Sequence, residues 1–225
     1  MDAALVRCKR CRDGLTGSER HSAVPPRVGT SSVGCVEMKH PSSQQFYAYW
    51  DEVRGSEAAP ARSAFEPEPI RHLLGDSFVL AYEHTSGFPF RVAGTRLCAL
   101  LGCEVKGQRF DRLWGPRSRN QVEDLIGIAA EEQVGTVAGA TAMVNGMPLF
   151  LELLLLPFAT QPHTLASMTG ILAPLTVPAV PDYGGVRELE LTSWRHVGHR
   201  PQGLGKRMLR KISAARGFMV YEGLR

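Results

Sequence analysis

Several groups of residues in this 225-residue sequence have side chains of the right type to do chemistry. Cys8 and Cys11 form a C-x-x-C pair, and with Cys35 and His21 or His40 they would supply four tetrahedral zinc ligands. The spacing beyond Cys11 matches no standard zinc knuckle, so two cysteines in an irregular basic tail are the simpler account and no metal is assigned. Arg200-Pro-Gln-Gly203-Leu-Gly205 is an R-x-x-G-x-G sequence, the turn that cradles the pyrophosphate of acetyl-CoA in N-acetyltransferases. That chemistry needs a strand feeding the turn and helix amides facing the phosphates. An apolar-basic helix fits 206–215, but Trp194–His199 reads as a poor strand, and a flexible basic tail is favoured. His72, His84 and His163 are haem ligands by type alone; there is no C-x-x-C-H attachment site, and turn or surface positions explain them. Cys98 and Cys103 read as small apolar residues in or near the core. Arg96 and Trp114 offer a guanidinium for a carboxylate or phosphate and an indole for stacking. Against that stands a structural role, favoured here, in which Trp114 closes the core and Arg96 pairs with an acidic neighbour such as Glu152 or Asp111. No acidic pair and no Ser/His/Asp arrangement is argued by local spacing, so no catalytic residue is assigned. No cofactor is indicated.

The charge balance narrows the partners. The chain carries 26 Lys+Arg and 22 Asp+Glu, a formal charge of +4. Residues 1–37 hold six basic and four acidic groups, 38–193 twelve and seventeen, and 194–225 eight and one. A mildly acidic body with basic ends disfavours a nucleic-acid-binding core, and any such contact maps to 194–225. With 44% apolar and 21% charged residues the composition is that of a globular protein. The greasiest stretch, Met147–Phe158, is interrupted by Pro148, Glu152 and Pro157, so no membrane-spanning helix is expected. The charged amino terminus argues against export, and a reducing cytoplasm with free thiols is the expectation.

The elements that must position these residues begin sharply at Met38. Residues 1–37 show no helix or strand period and read as a disordered tail, or even as an over-extended start. Phe46, Trp50 and Val53 then fall at helical spacing after Ser42 or Ser43 as cap, and Gly55 closes the helix. A short helix fits Pro69–Leu74. Phe78, Leu80 and Tyr82, then Phe88, Phe90 and Val92, alternate about a turn at 85–87 and predict an antiparallel hairpin. Thr95 caps a short helix over Arg96–Leu101, closed by Gly102. Pro116 opens a longer helix to about Glu132, with Val122, Leu125, Ile126 and Ala129 on one face. Val134–Val144 and Met147–Leu156 are strands joined by Asn145-Gly146, a type I′ turn pair. Further strands fit Thr164–Ala173 and Val186–Thr192.

This order, with FYAYWDEVRG (46–55), FPFRVAGTRLCALLGCEVKGQRFDRLW (88–114), LELLLLPF (151–158) and FMVYEGLR (218–225), resembles the bacterial PAS_5 family of short single-domain PAS proteins. The resemblance implies an α+β fold: a five-stranded antiparallel sheet with helices inserted between strands 2 and 3, plus an N-terminal flanking helix. It implies a domain over 38–175, with 176–225 a linker, a possible short strand and a basic tail. It further implies a sensory or regulatory role through a small ligand or partner protein, without catalysis. The candidate pocket residues are Arg96, Cys98, Phe110 and Trp114. Light-sensing PAS proteins place a flavin-reactive cysteine near this position, but the Asn-Cys-Arg-Phe context is lacking. The aromatic helix of Phe46, Tyr47, Tyr49 and Trp50 is a candidate homodimer interface, the alternative being that it packs on its own sheet. The rival functions are a nucleic-acid-associated regulator using the basic tail and, behind it, an acetyl-CoA-dependent acetyltransferase.

Overall fold

The computed structural model describes residues 38–160, 165–176 and 184–198, and the backbone of 209–215 and 218–223. Helix α1 spans Pro41–Arg54, and its cap is His40, not Ser42 or Ser43: the imidazole Nδ1 accepts the Ser42 N–H at 3.2 Å, with Pro41 at the first helical position. Gly55 ends it at φ 56°, a conformation that suits glycine. A 3₁₀ segment, Glu68–Leu73, leads to strands β1 (Ser77–Ala81) and β2 (Phe90–Ala93). Helix α2 (Thr95–Leu101) starts after Gly94 without a side-chain cap, so Thr95 is its first residue. A 3₁₀ turn, Phe110–Leu113, precedes α3 (Arg119–Glu132), which starts three residues beyond Pro116 with Ser118 at the cap position. Strands β3 (Gly135–Val144) and β4 (Met147–Pro157) meet at Asn145 and Gly146, whose φ values of 50° and 79° are those of the expected turn. Strand β5 is Ser167–Pro174 and β6 is Glu190–Val197.

The main sheet has six strands in the order β2-β1-β5-β4-β3-β6, every neighbouring pair antiparallel. The α+β class and the helices between β2 and β3 are as the sequence implied; the sheet has six strands rather than five, because the strand expected over Val186–Thr192 joins it. That strand starts at Glu190 and runs on through Trp194 to Val197, a stretch that reads as a poor strand by itself. Hydrogen bonding to β3 decides the matter: Gly135 faces Val197 and Val137 faces Arg195, and the Thr136 hydroxyl meets His196 Nδ1 at 3.0 Å. Local propensity is a weak guide where a ready-made edge offers a whole ladder. The helix expected over 206–215 is likewise replaced by strand β7 (Leu209–Ala215), which pairs with β8 (Phe218–Gly223) in a separate two-stranded sheet.

Both faces of the main sheet are covered. Phe78, Leu80, Ala138, Ala140, Leu151, Leu153 and Leu155 pack towards α2 and α3 with Leu97, Leu101, Val122 and Ile126. On the other face Val137, Leu154, Leu156, Ile171 and Ala173 meet Phe46 and Trp50 of α1 and Ile70 and Leu73. That two-sided burial is why β4 reads as the unbroken apolar run LELLLL rather than an alternation. Glu152 interrupts it, only 4% exposed, and its two oxygens accept the backbone N–H groups of Lys39 at 2.7 Å and His40 at 3.0 Å. The Trp50 indole N–H donates to the Pro157 carbonyl at 2.9 Å and fixes α1 to the end of β4.

Closure around β5 is tight at Gly170, where an added Cβ would stand 2.0 Å from the Leu154 carbonyl oxygen and 2.6 Å from Phe78 Cζ. Backbone cannot yield as a side-chain tip can. Gly170→Ala is therefore expected to destabilise the domain by about 3 kcal/mol, the upper end of overpacking costs. A urea titration should show a lower midpoint with an unchanged slope.

Candidate functional site

The helix side of the sheet is where the sequence placed a ligand pocket, and four large aromatic side chains fill it. Phe78, Phe90, Phe110 and Trp114 are each at most 1% exposed. Their rings lie 5.5–6.0 Å apart between centroids, in tilted and edge-on contacts that attract through the ring quadrupoles. The indole Nε1 of Trp114 is buried without a hydrogen-bond partner among the described residues, an uncommon state for a polar atom. The turn that carries Phe110 and Trp114 is held from outside. Arg109 grips Asp111 through two bonds of 2.8 and 3.0 Å and reaches Glu123 at 3.0 Å, while Arg119 donates to the Trp114 carbonyl at 3.0 Å.

Arg96 stands apart from this interior. Its Nε and Nη2 donate to the two Asp76 oxygens at 2.8 and 2.7 Å, and Nη2 also reaches the His72 carbonyl at 3.0 Å. Its partner is thus neither Glu152, which holds the Lys39 and His40 amides, nor Asp111, which belongs to Arg109. Cys98 is half-buried and Cys103 exposed. Burial pushes the Cys98 thiol up from its ordinary pKa, with the Glu104 carboxylate adding to the shift and a bond from the Val105 backbone opposing it. His72 bonds Gln45 through Nε2 at 2.9 Å and His84 lies edge-on to the Tyr82 ring, while His163 falls outside the described residues. Cys8, Cys11, Cys35 and His21 are also outside them, as are Arg200, Gly203 and Gly205. No group of three metal-binding side chains occurs among the described residues.

Phe46 and Trp50 of the candidate dimer helix are 1% exposed and buried on the chain's own sheet, with Tyr47 and Tyr49 half-buried at its margin. Tyr49 donates its hydroxyl to the Glu66 carbonyl at 2.9 Å. Helix α1 covers β4 and β5 and leaves the hairpin end of β3, β4 and β6 bare. There a cleft of about 300 Å³ opens, lined by Gly139, Phe150, Glu152, Leu175 and residues 192–195, with Lys39 beside it. Phe150 is 51% exposed and Trp194 47%, and Met143 stands exposed on the strand next to Phe150. Gly139 keeps the cleft floor low, since a Cβ there would come within 2.9 Å of the Thr192 and Ser193 hydroxyl oxygens.

Sequence reasoning assigned none of these residues to a cleft. The one available signal was that Phe150 and Met143 continue the apolar series of a face already supplied with a covering helix. How far α1 reaches across that face is a matter of tertiary placement.

The family model described as "PAS domain", PAS_5, matches residues 38–173. The chain belongs to this family. The match takes in α1 to β5 and stops before β6, so the sixth strand and the β7–β8 pair lie beyond the matched PAS region. Solved structures similar to this PAS protein include the Rhodobacter sphaeroides LOV protein, at 13% identity, with 51% of this chain and 71% of that one covered and a TM-score of 0.38. The PAS domain of Bordetella pertussis BvgS is similar at 14% identity, 50% and 88% coverage and TM-score 0.37. A PAS domain from Colwellia psychrerythraea is similar at 16%, 48% and 97%, and 0.35. No match was found among curated proteins. A PAS domain is a sensory or regulatory type of domain, and no helix among the described residues is long and apolar enough to cross a membrane.

Two outcomes are expected. Arg96→Ala should cost less than about 1 kcal/mol, because its Asp76 pair is solvent-exposed on the arginine side. Cys98 should alkylate several-fold more slowly at pH 8 than a free thiol, as its raised pKa lowers the thiolate fraction; iodoacetamide kinetics with peptide mass spectrometry would check this.

Proposed function

We propose that this PAS protein regulates a partner protein by docking it at the bare end of the sheet, at the cleft beside Phe150 and Leu175, and performs no catalysis. The single observation that carries the reading is the contrast between the two faces. The helix-side interior is filled by Phe78, Phe90, Phe110 and Trp114, while the opposite face ends in an open cleft with Phe150 and Met143 standing in solvent. Large exposed apolar side chains beside a concavity mark sites of protein contact. The occupant we infer is an extended segment that sets an apolar side chain against Phe150 and Leu175 and a carboxylate near Lys39. Cytoplasmic residence fits such a role. A second copy of the chain is the competing occupant, and α1 is not the surface that would receive it, since its largest aromatics are buried within the chain.

A signal in this reading is a shift between conformations that the partner binds with different affinity; binding alone shifts nothing. The acetyltransferase alternative loses support because the segment after the R-x-x-G-x-G sequence continues into strand β7, where the pyrophosphate turn requires a helix. The nucleic-acid alternative loses part of its basis because Trp194–Val197, the start of the +7 segment, is a sheet strand.

The purified protein is expected to give a native mass of 24.6 kDa or a simple multiple, and no absorption in the visible range. A heavier, coloured species would contradict partner regulation in favour of a retained cofactor. Proteins that co-purify with the wild-type chain should be lost with Phe150→Glu, and purified candidates should bind wild type at least tenfold more tightly by calorimetry. If Phe150→Glu instead converts a dimer into a monomer in sedimentation, the occupant is a second copy.

A further inference from the structure

The C-terminus of α2 places Cys98 and Cys103 in a special relation. Gly102 sits at φ 71° and ends the helix, its N–H directed at the Ala99 and Cys98 carbonyls. The Cys103 N–H then bonds back to the Cys98 carbonyl at 3.2 Å. This six-to-one bond around a left-handed glycine is a Schellman motif, in which the residue after the glycine packs its side chain on the residue five positions before it. Here both residues are cysteines. A backbone bond of that length keeps the two Cα atoms no more than about 7 Å apart, a separation that overlaps the range a disulfide spans.

We propose that Cys98 and Cys103 are a redox modification site, oxidised by a peroxide to an intrachain disulfide across the α2 cap. Cys103 is the exposed member and meets the oxidant first. Its thiolate attacks one peroxide oxygen, the O–O bond breaks, and a sulfenic acid forms with release of hydroxide, which takes up a proton as water. The Cys98 sulfur attacks the sulfenic sulfur; the S–S bond forms and the S–O bond breaks. The departing hydroxide takes the Cys98 proton as a second water. Two electrons pass from the thiols to the peroxide, and a small dithiol restores both thiols. The Cys98 thiol, hydrogen-bonded to Glu104 at 3.7 Å and less exposed than Cys103, takes the resolving role.

The site has a route to the rest of the molecule. Gly102 packs backbone to backbone on Gly184 and Gly185: a Cβ at Gly185 would lie 2.5 Å from Gly102 Cα. The Val186 N–H bonds the Leu100 carbonyl at 2.8 Å, and Leu189, just before β6, forms a bridge beside Trp114, its N–H bonding the Leu113 carbonyl and its carbonyl accepting the Gly115 N–H, both at 2.9 Å. Tightening the α2 cap therefore acts on the segment that delivers β6, the strand lying beyond the matched PAS region and lining the cleft. This inference does not depend on the docking role proposed above.

Trypsin cutting after Arg96 and Lys106 releases both cysteines in one peptide, residues 97–106. The full-length protein is exposed to stoichiometric hydrogen peroxide, blocked with N-ethylmaleimide and digested without reduction. The expected product is that peptide unblocked and about 2 Da lighter, regaining two maleimides after dithiothreitol. In Cys98→Ser the unresolved Cys103 should be captured by dimedone as a sulfenic acid. Oxidation should also change amide hydrogen exchange over 186–197, and Cys103→Ser should abolish that change. Two maleimides on the peptide after peroxide, Cys103 over-oxidised while Cys98 stays free, or either thiol joined to another cysteine would overturn the site. A disulfide that leaves exchange over 186–197 unaltered would overturn its coupling to β6.

Discussion

Strand β4 has to be covered on both faces at once, and most of the molecule follows from that requirement. Leu151, Leu153 and Leu155 point one way and Leu154 and Leu156 the other, all buried. At about 1.5–3 kcal/mol for each fully buried aliphatic side chain, neither face can be left to water. Helices α2 and α3 close one side. The other needs α1, and the chain secures α1 at both ends: the Glu152 carboxylate holds the Lys39 and His40 amides before the helix, and Trp50 bonds the Pro157 carbonyl in its last turn. A carboxylate in the middle of a leucine run is tolerable because it collects two backbone donors that would otherwise be unpaired at the start of α1.

A fourteen-residue helix covers only part of a six-stranded sheet. Its footprint falls on β4 and β5, and the hairpin end of β3 and β4 emerges past it with Met143 and Phe150 in solvent. Strand β6 then adds a wall carrying Ser193 and Arg195 on one side and Trp194 on the other. The cleft is thus the remainder of the covering problem, and it exists only because the chain continues past the PAS region into a sixth strand. The interior, by contrast, is a packing solution, with Phe110 and Trp114 serving as core for the sheet they face.

The sequence disclosed the parts of this arrangement that local chemistry determines. Asn145-Gly146 announced its turn because few dipeptides accept two positive φ values in succession. Phe46 and Trp50 announced a helix with one apolar face, and β4 announced a strand buried on both sides. What it withheld was decided at long range. Strand β6 forms on the edge of β3, far earlier in the chain, and that edge carries it past Thr192 to Val197. Arg96 chose Asp76, brought near by the β1–β2 pairing, over the acidic residues that its sequence neighbourhood suggested. Phe46 and Trp50 were equally compatible with a second copy or with the chain's own sheet, and only the position of β4 and β5 resolves them into the core. The cleft had no motif because its residues come from three strands and the segment before α1.

Hydrogen exchange on a purified complex tests the central claim most directly, that this PAS domain works through the open end of its sheet and not through its helix-covered interior. With a captured partner bound, amides over 139–152 and 192–195 should gain protection while those of α2 and α3 stay as in the free protein. Protection concentrated over residues 95–132, with β3, β4 and β6 unchanged, would contradict it.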